Sequence, residues 1–336
     1  MILDGHIHVD EICSTLRHPD RCYPIDVEET IKYLRDCSVD CAIIIYRNYS
    51  TLEYIHTQVP NCRILGLKWV DIPLNTKYYN EISKTVLEDI DKEMFYGLKF
   101  HDLRVFDKEM LTDCELNNSN YTKLYNYTNK YVKKLISLLK PNQLVLFHFQ
   151  GCRDSNPLNI VHLICYCKHV KYIIGHAGCY GGLNVSPPKR YLSEVSDTCL
   201  RFYHSIFALQ NSIELANLFP HVYLDNTIPC PFGIKGKVMS LTDKFIFGTD
   251  FCEYKYANNQ TIIAEQYKLL RQRYPDIDID DINNRFIKWL ETDNEILFKQ
   301  AESEYEDYRK WYNTNDYSYF KTFIKNQDNF SILNKQ

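Results

Sequence analysis

The chain has 336 residues, a formal net charge of −4, 45% apolar residues and 24% charged residues. These values are ordinary for a globular protein, and they exclude a disordered chain, a collagen-like repeat and a strongly basic nucleic-acid binder. No stretch has the length and apolarity of a membrane span. We therefore expect neither a nucleic-acid partner nor a membrane partner.

Thirteen cysteines are scattered along the chain without a CxxC pair. An odd, dispersed set in a chain of this length favours reduced thiols that pack as small core residues over a disulfide framework. The first residues, from Met1 to Asp4, contain neither a basic leader nor a long apolar segment. Both features predict a cytoplasmic protein.

Short apolar runs rich in Ile, Val, Leu, Phe and Tyr alternate along the chain with longer amphipathic segments. Such runs are typical of strands that are buried on both faces of a parallel sheet. In chain order, the predicted strands are residues 2–9, 41–46, 63–72, 95–101, 143–150, 171–177, 221–227 and 244–251. The predicted helices are residues 26–37, 120–139, 156–169, 260–273 and 280–290.

The alternation of eight strands with helices predicts a (β/α)8 TIM barrel. A doubly wound open sheet is the rival, but it usually has a glycine-rich phosphate loop after its first strand, and this sequence has none. We place the barrel domain at residues 1–300. Residues 301–336 are rich in Tyr and charge, and we expect a C-terminal helical extension packed on the barrel, with packing on a partner subunit in a homodimer as the alternative.

Polar residues that suit a metal ion occur at the ends of four predicted strands. His6 and His8 on the first strand share one face, because side chains alternate along a strand. The fifth, sixth and eighth strands end at His148, His176 and Asp250. The carboxyl ends of barrel strands converge on one mouth, and a buried ionisable group needs a partner or a metal to offset its desolvation. The sequence therefore predicts a polar site at that mouth.

These residues lie in the motifs DGHIH at 4–8, GLKFH at 97–101, GHAG at 175–178 and GTD at 248–250, together with His148. The set resembles the amidohydrolase superfamily. It is most similar to the amidohydrolase-related branch, which includes metal-dependent hydrolases, lactonases and decarboxylases of the aminocarboxymuconate semialdehyde type. The resemblance extends over about residues 1–300 and includes the segment 294–298.

The resemblance implies one divalent metal ion, zinc first and manganese or iron next, whose ligands are His6, His8, His148 and Asp250. It also implies that His176 lies beside the metal as a catalytic residue. Such a metal lowers the pKa of a bound water. Asp250 is suited to accept the proton of that water, and His176 is suited to polarise a substrate carbonyl.

Further candidates for substrate binding are Lys99 and His101, which share one face of the fourth strand. Lys99 could instead be carboxylated and bridge two metals, or pair with an interior acid. We expect an unmodified lysine, because the branch that the sequence resembles typically holds one metal. Arg104, Arg153 and Trp69 lie at or just past strand ends, and each is either a substrate contact or an ordinary loop residue.

Three classes of function remain. The first is a metal-dependent hydrolase that cleaves an amide, ester or lactone bond in a small molecule. The second is a metal-dependent, non-oxidative decarboxylase of an unsaturated or aromatic acid. The third is a barrel that binds a metal or ligand without turnover, which the complete ligand set disfavours. The sequence does not separate the first two, and we place the hydrolase first.

Overall fold

The structure is a computed structural model. It describes residues 1–9, 27–72, 76–100, 130–149, 157–178, 208–209, 211–226, 244–249, 268, 271–272, 275 and 278–304. Four of the predicted site residues lie outside the described residues: His101, Arg104, Arg153 and Asp250. Most of the predicted C-terminal extension also lies outside them.

Eight parallel strands follow one another in the sheet in the order of the sequence. They are β1 (Leu3–His8), β2 (Cys41–Tyr46), β3 (Arg63–Val70), β4 (Phe95–Phe100), β5 (Leu144–Phe147), β6 (Lys171–Ile174), β7 (Val222–Asn226) and β8 (Phe245–Phe247). Each coincides with a predicted apolar run. Several runs are longer than their strands at the carboxyl end, because the apolar pattern continues into the turns that follow.

The described helices lie between or after the strands. They are α1 (Val27–Asp36), α2 (Tyr49–Gln58), α3 (Thr76–Asp89), α4 (residues 130–136), α5 (Val161–Tyr166), α6 (residues 211–218), α7 (Ile279–Glu291) and α8 (Asn294–Glu304). Helices α1 and α7 confirm the predictions at 26–37 and 280–290. In α7 the side chain of Asp278 caps the first turn by accepting from the N–H of Asp281.

The carboxylate of Asp4 on β1 connects the first strand of the sheet to Thr249, which follows the last strand, β8. It accepts hydrogen bonds from the N–H of Thr249 (2.9 Å), the hydroxyl of Thr249 (2.7 Å) and the hydroxyl of Tyr33 (2.6 Å). Burial raises the pKa of Asp4 to about 6, although these hydrogen bonds act in the opposite direction. A Cβ at Gly5 would lie 2.6 Å from Cδ1 of Ile246, so glycine is what lets β1 approach β8. The sheet is therefore a nearly closed (β/α)8 barrel, as predicted.

Apolar side chains fill the barrel in two layers. One layer lies between strands and helices, and the other lies inside the barrel and includes Leu3, Cys41, Ile43, Ile45, Leu65, Leu67, Leu144, Leu146, Ile173, Tyr223 and Ile246. Helix α7 covers the amino-terminal end of the interior. The rings of Phe286 and Trp289 lie 5.3 Å and 4.6 Å from the ring of Tyr223, and the indole N–H of Trp289 donates to the carbonyl of Pro220. Aromatic packing thus closes the end opposite the predicted site.

The described cysteines behave as core residues. Burial raises the pKa of the Cys41, Cys62 and Cys165 thiols to about 12. These thiols are therefore protonated at neutral pH and pack as small apolar groups.

Among the helices of the described ranges, none is both long enough and apolar enough to cross a membrane.

Candidate metal centre

A bulge in β1 turns the two histidines of the HxH motif into the barrel. The pairing of β1 with β2 runs Leu3↔Cys41, Asp4↔Ala42, Ile7↔Ile44 and His8↔Ile45, so β1 contains one extra residue. Before the bulge Leu3 faces the interior, whereas after it Ile7 packs in the outer layer. His6 and His8 therefore both face inward, and their Nε2 atoms lie 3.0 Å apart.

Four imidazole rings form a continuous row at the carboxyl end of the barrel. The ring of His6 lies 4.9 Å from that of His8 and 5.0 Å from that of His176, and the rings of His176 and His148 lie 4.5 Å apart. His176 Nε2 and His148 Nδ1 are 2.8 Å apart. All four residues are buried. The structure thus brings together the histidines that the sequence places at the ends of three separate strands.

The neighbours of His6 determine which of its nitrogens carries the proton. The ammonium of Lys99, fully buried on β4, lies 3.0 Å from His6 Nε2. An ammonium only donates hydrogen bonds, so Nε2 is the acceptor. On the other side of the ring, Nδ1 lies 3.0 Å from Oδ2 of Asp225, which only accepts. His6 is therefore the Nδ1–H tautomer, and the lone pair of Nε2 faces the mouth of the barrel.

Burial favours the neutral form of the imidazoles of His6 and His176. Burial lowers the pKa of His6 well below its usual range, and the charges of Lys99 and His8 lower it further. Burial is also the main cause of the low pKa of His176, where Asp225 acts in the opposite direction. A neutral imidazole is the form that binds a metal ion.

His176 lies in a strained turn directly after β6. The chain passes into a tight turn over Gly175–Gly178, in which His176 (φ 55°, ψ 28°) and Ala177 (φ 47°, ψ 30°) adopt left-handed conformations. Such conformations are uncommon for residues other than glycine, and they cluster at functional sites. The N–H of His176 donates to Oδ1 of Asp225 at 2.7 Å, which holds the turn.

Asp225 is a site residue that the sequence analysis missed. It lies on β7, it is fully buried, and its two oxygens contact His6 and the backbone of His176. The sequence contained a signal for Asp225, because this acidic residue lies near the end of a predicted strand. Asp250 was selected as a site residue for the same reason.

The described residues include a group that could hold a metal ion. The ligand atoms of His6, His176 and Asp225 lie within 4.8 Å of one another. The facing Nε2 atoms of His6 and His8 form a second pair of ligand atoms in the same place.

Trp69 lies against the row of histidines. Its ring is 6.0 Å from the ring of His8, and its indole N–H donates to Asp71 at 3.0 Å. The guanidinium of Arg47 lies 5.5 Å over the indole and pairs with Asp71 at 3.1 Å. The indole of Trp69 is thus held in place beside the ring of His8.

The predicted ligand Asp250 follows an anchored residue. Thr249 is held through its N–H and hydroxyl by the carboxylate of Asp4, so the chain is fixed one residue before Asp250.

No model of a protein family matches the sequence, and no curated protein matches it. Three similar solved structures are an amidohydrolase from Burkholderia multivorans, a probable 2-pyrone-4,6-dicarboxylic acid hydrolase from Acinetobacter baumannii with citric acid bound, and 2,6-dihydroxybenzoate decarboxylase from Rhizobium. In that order, the identities are 12%, 16% and 13%, and the TM-scores are 0.47, 0.39 and 0.41. The matches cover 81%, 90% and 80% of this chain and 92%, 98% and 91% of the other chains.

At these identities and TM-scores the likeness concerns the fold and is no guide to activity.

Proposed function

We propose that this protein is a metal-dependent hydrolase of the amidohydrolase superfamily that cleaves an amide, ester or lactone bond in a small molecule. One observation carries the proposal: the Nε2 atoms of His6 and His8 face each other at 3.0 Å at the carboxyl end of a barrel strand. This is the end at which TIM-barrel enzymes hold their active sites.

The described donor atoms fit a divalent cation. Buried imidazoles supply the nitrogen ligands that zinc prefers, and manganese or iron would be the alternatives. The ligands that the sequence motifs imply are His6, His8, His148 and Asp250. Asp225 would orient His6, because its Oδ2 accepts a hydrogen bond from Nδ1 of that ring.

A bound divalent cation would supply Lewis-acid activation of water and of the scissile carbonyl. Three side chains of the protein would carry out the rest of the reaction. Asp250 would accept the proton of the attacking water and return it to the leaving group. His176 would stabilise the charge that develops on the carbonyl oxygen. The ammonium of Lys99 would attract an acidic group of the substrate.

The substrate would accordingly be a small acidic molecule with an apolar face. Lys99 contributes a buried positive charge beside His6, and Trp69 contributes an indole wall beside His8. A buried ammonium favours a negatively charged group close to it, because it lacks full solvation. A carboxylated lactone or an N-acyl amino acid would match these two features.

The test of the proposal is turnover of a panel of lactones, esters, N-acyl compounds and aromatic acids by the metal-loaded protein. We expect formation of a carboxylate or an amine, loss of this activity on chelation, and its return on addition of zinc. Release of carbon dioxide from the acids, without hydrolysis of any lactone, ester or amide, would contradict the proposal and would indicate a decarboxylase.

The variant His176→Asn tests the part given to His176. We expect this variant to retain its metal and its fold, and to lose turnover by about a hundredfold, which is the usual effect of removing one group that stabilises developing charge. The matched control is His221→Asn, because His221 is also a buried histidine but lies at the opposite end of the barrel. Normal turnover in His176→Asn would show that His176 only fills space.

A further inference from the structure

We propose that Asp225 is the positioning residue of this site: it fixes the tautomer of His6 and holds the left-handed turn that carries His176. The inference rests on the proposed function in one respect: the atom whose lone pair Asp225 exposes, Nε2 of His6, is a metal ligand in that proposal. The tautomer and the turn are themselves properties of the metal-free protein.

A single buried carboxylate connects three separate elements. Asp225 lies on β7 with its side chain fully buried. Its Oδ2 accepts from Nδ1 of His6 on β1 at 3.0 Å, and its Oδ1 accepts from the N–H of His176 after β6 at 2.7 Å. Each oxygen has a different partner, so the position of the carboxylate sets the positions of both histidines relative to each other.

The first effect is on His6. A neutral imidazole has one N–H, and the group bound to one nitrogen determines whether the other offers a lone pair. Because the carboxylate accepts a hydrogen bond from the Nδ1–H of His6, the proton stays on Nδ1, and Nε2 presents its lone pair toward His8 and the mouth of the barrel. A carboxylate behind a metal-binding histidine orients the ring and strengthens the nitrogen as a donor.

The second effect is on the turn over Gly175–Gly178. Two consecutive non-glycine residues in left-handed conformations are unfavourable, so surrounding contacts must hold them. The charge of the carboxylate makes its hydrogen bond with the His176 N–H strong in a buried setting. This bond fixes the backbone at the residue whose ring stacks on His6.

Asparagine in place of Asp225 keeps the shape but breaks one of the two contacts. An amide offers one accepting oxygen and one donating nitrogen, whereas the carboxylate accepts on both sides. If the amide nitrogen faces His6, then Nδ1 must accept, and the proton moves to Nε2 and removes its lone pair from the mouth. If it faces His176, two N–H groups oppose each other and the turn loses its acceptor.

Two measurements on wild-type protein and Asp225→Asn test this inference. Histidine ¹⁵N NMR of the metal-free proteins reports the tautomer of His6 and the environment of His176. Competition with a chromophoric chelator reports the affinity for Zn²⁺. We expect the Nδ1–H tautomer of His6 in the wild type. In the variant we expect altered His6 or His176 signals and Zn²⁺ affinity lower by about tenfold to a hundredfold.

The matched control is Asp89→Asn. Asp89 is also a buried carboxylate that accepts hydrogen bonds from separate elements, but it packs outside the barrel, where its partners are Tyr46, Lys68 and Lys92. This variant should be less stable and should keep both the wild-type histidine signals and the wild-type Zn²⁺ affinity.

Three results separate the outcomes. A wild-type His6 that carries its proton on Nε2 would overturn the inference, and this measurement stands even if Asp225→Asn does not fold. Unchanged histidine signals and unchanged Zn²⁺ affinity in a folded Asp225→Asn would overturn it as well. A wild-type protein that binds no Zn²⁺ would contradict the proposed function, whereas the predicted tautomer and its change in the variant would still support the positioning by Asp225.

Discussion

At the scale of single residues, the buried ammonium of Lys99 affects both the protonation of the histidines and the lone pair of His6 Nε2. This ammonium lies 3.0 Å from His6 Nε2, and its charge lowers the pKa of both His6 and His176. One lone pair on Nε2 cannot serve an ammonium and a metal ion at the same time. Lys99 would therefore compete with a bound cation for His6, and its ammonium would have to turn away from Nε2 for that nitrogen to serve as a ligand.

The variant Lys99→Met removes this competitor and keeps an unbranched side chain of similar length. We expect its Zn²⁺ affinity to rise by at least about tenfold, which corresponds to about 1.4 kcal/mol of relieved repulsion. The measurement is chelator competition, with Lys171→Met as the control, because Lys171 is a buried lysine at the other end of the barrel. Weaker Zn²⁺ binding in Lys99→Met would show instead that Lys99 helps to hold metal, as a carboxylated lysine would.

His221 makes the stability of the fold depend on pH. It is buried just before β7, and burial lowers its pKa to about 3. The unfolded chain, with a histidine pKa of about 6.5, then binds more protons than the folded chain between pH 3 and pH 6.5. Stability therefore falls as the pH falls below 6.5.

The expected contribution of His221 is a loss of about 2 kcal/mol of unfolding free energy at pH 5 relative to neutral pH. Urea unfolding at both pH values measures it. His221→Asn should be less stable at neutral pH and should lose less stability on acidification than the wild type. An equal loss in the two proteins would contradict the assignment of this effect to His221.

At the scale of elements, the strands were predictable and the bulge in β1 was not. A strand that is buried on both faces appears in the sequence as a short apolar run, and each of the eight predicted runs contains a strand of the structure. Simple alternation places Leu3 and His6 on opposite faces, whereas the extra residue turns both inward. Nothing in the DGHIH motif marks that residue, because it depends on the register that β1 adopts against β2.

Helix α7 closes the amino-terminal end of the barrel and is independent of the site at the other end. Trp289→Ala removes an indole that packs on Tyr223 and donates to Pro220, and we expect a loss of about 3–5 kcal/mol of stability. Zn²⁺ affinity should stay at the wild-type value in the folded variant.

The control is Ile296→Ala on α8, because Ile296 is exposed and its truncation should lower the free energy of unfolding by less than about 0.5 kcal/mol. A fall in Zn²⁺ affinity in Trp289→Ala would show that the two ends are coupled.

At the scale of the whole molecule, closure of the barrel assembles the site. His6 and Asp225 are 219 residues apart in the sequence, and they meet because β1 and β7 belong to one nearly closed barrel. The convergence of strand ends made His6, His8, His148 and His176 predictable as a group. The function of Asp225 could not be predicted in the same way, because it consists of two hydrogen bonds whose geometry follows from the closed barrel and from the turn after β6.

The metal content of protein purified without chelator tests the central claim most directly. Elemental analysis should find about one equivalent of a divalent metal, zinc first, as the ligand count of a single site requires. The double variant with His6→Ala and His8→Ala should contain almost none, whereas the His221→Asn control should retain it. Full retention of metal in the His6→Ala and His8→Ala double variant would contradict the assignment of the site to these two facing imidazoles.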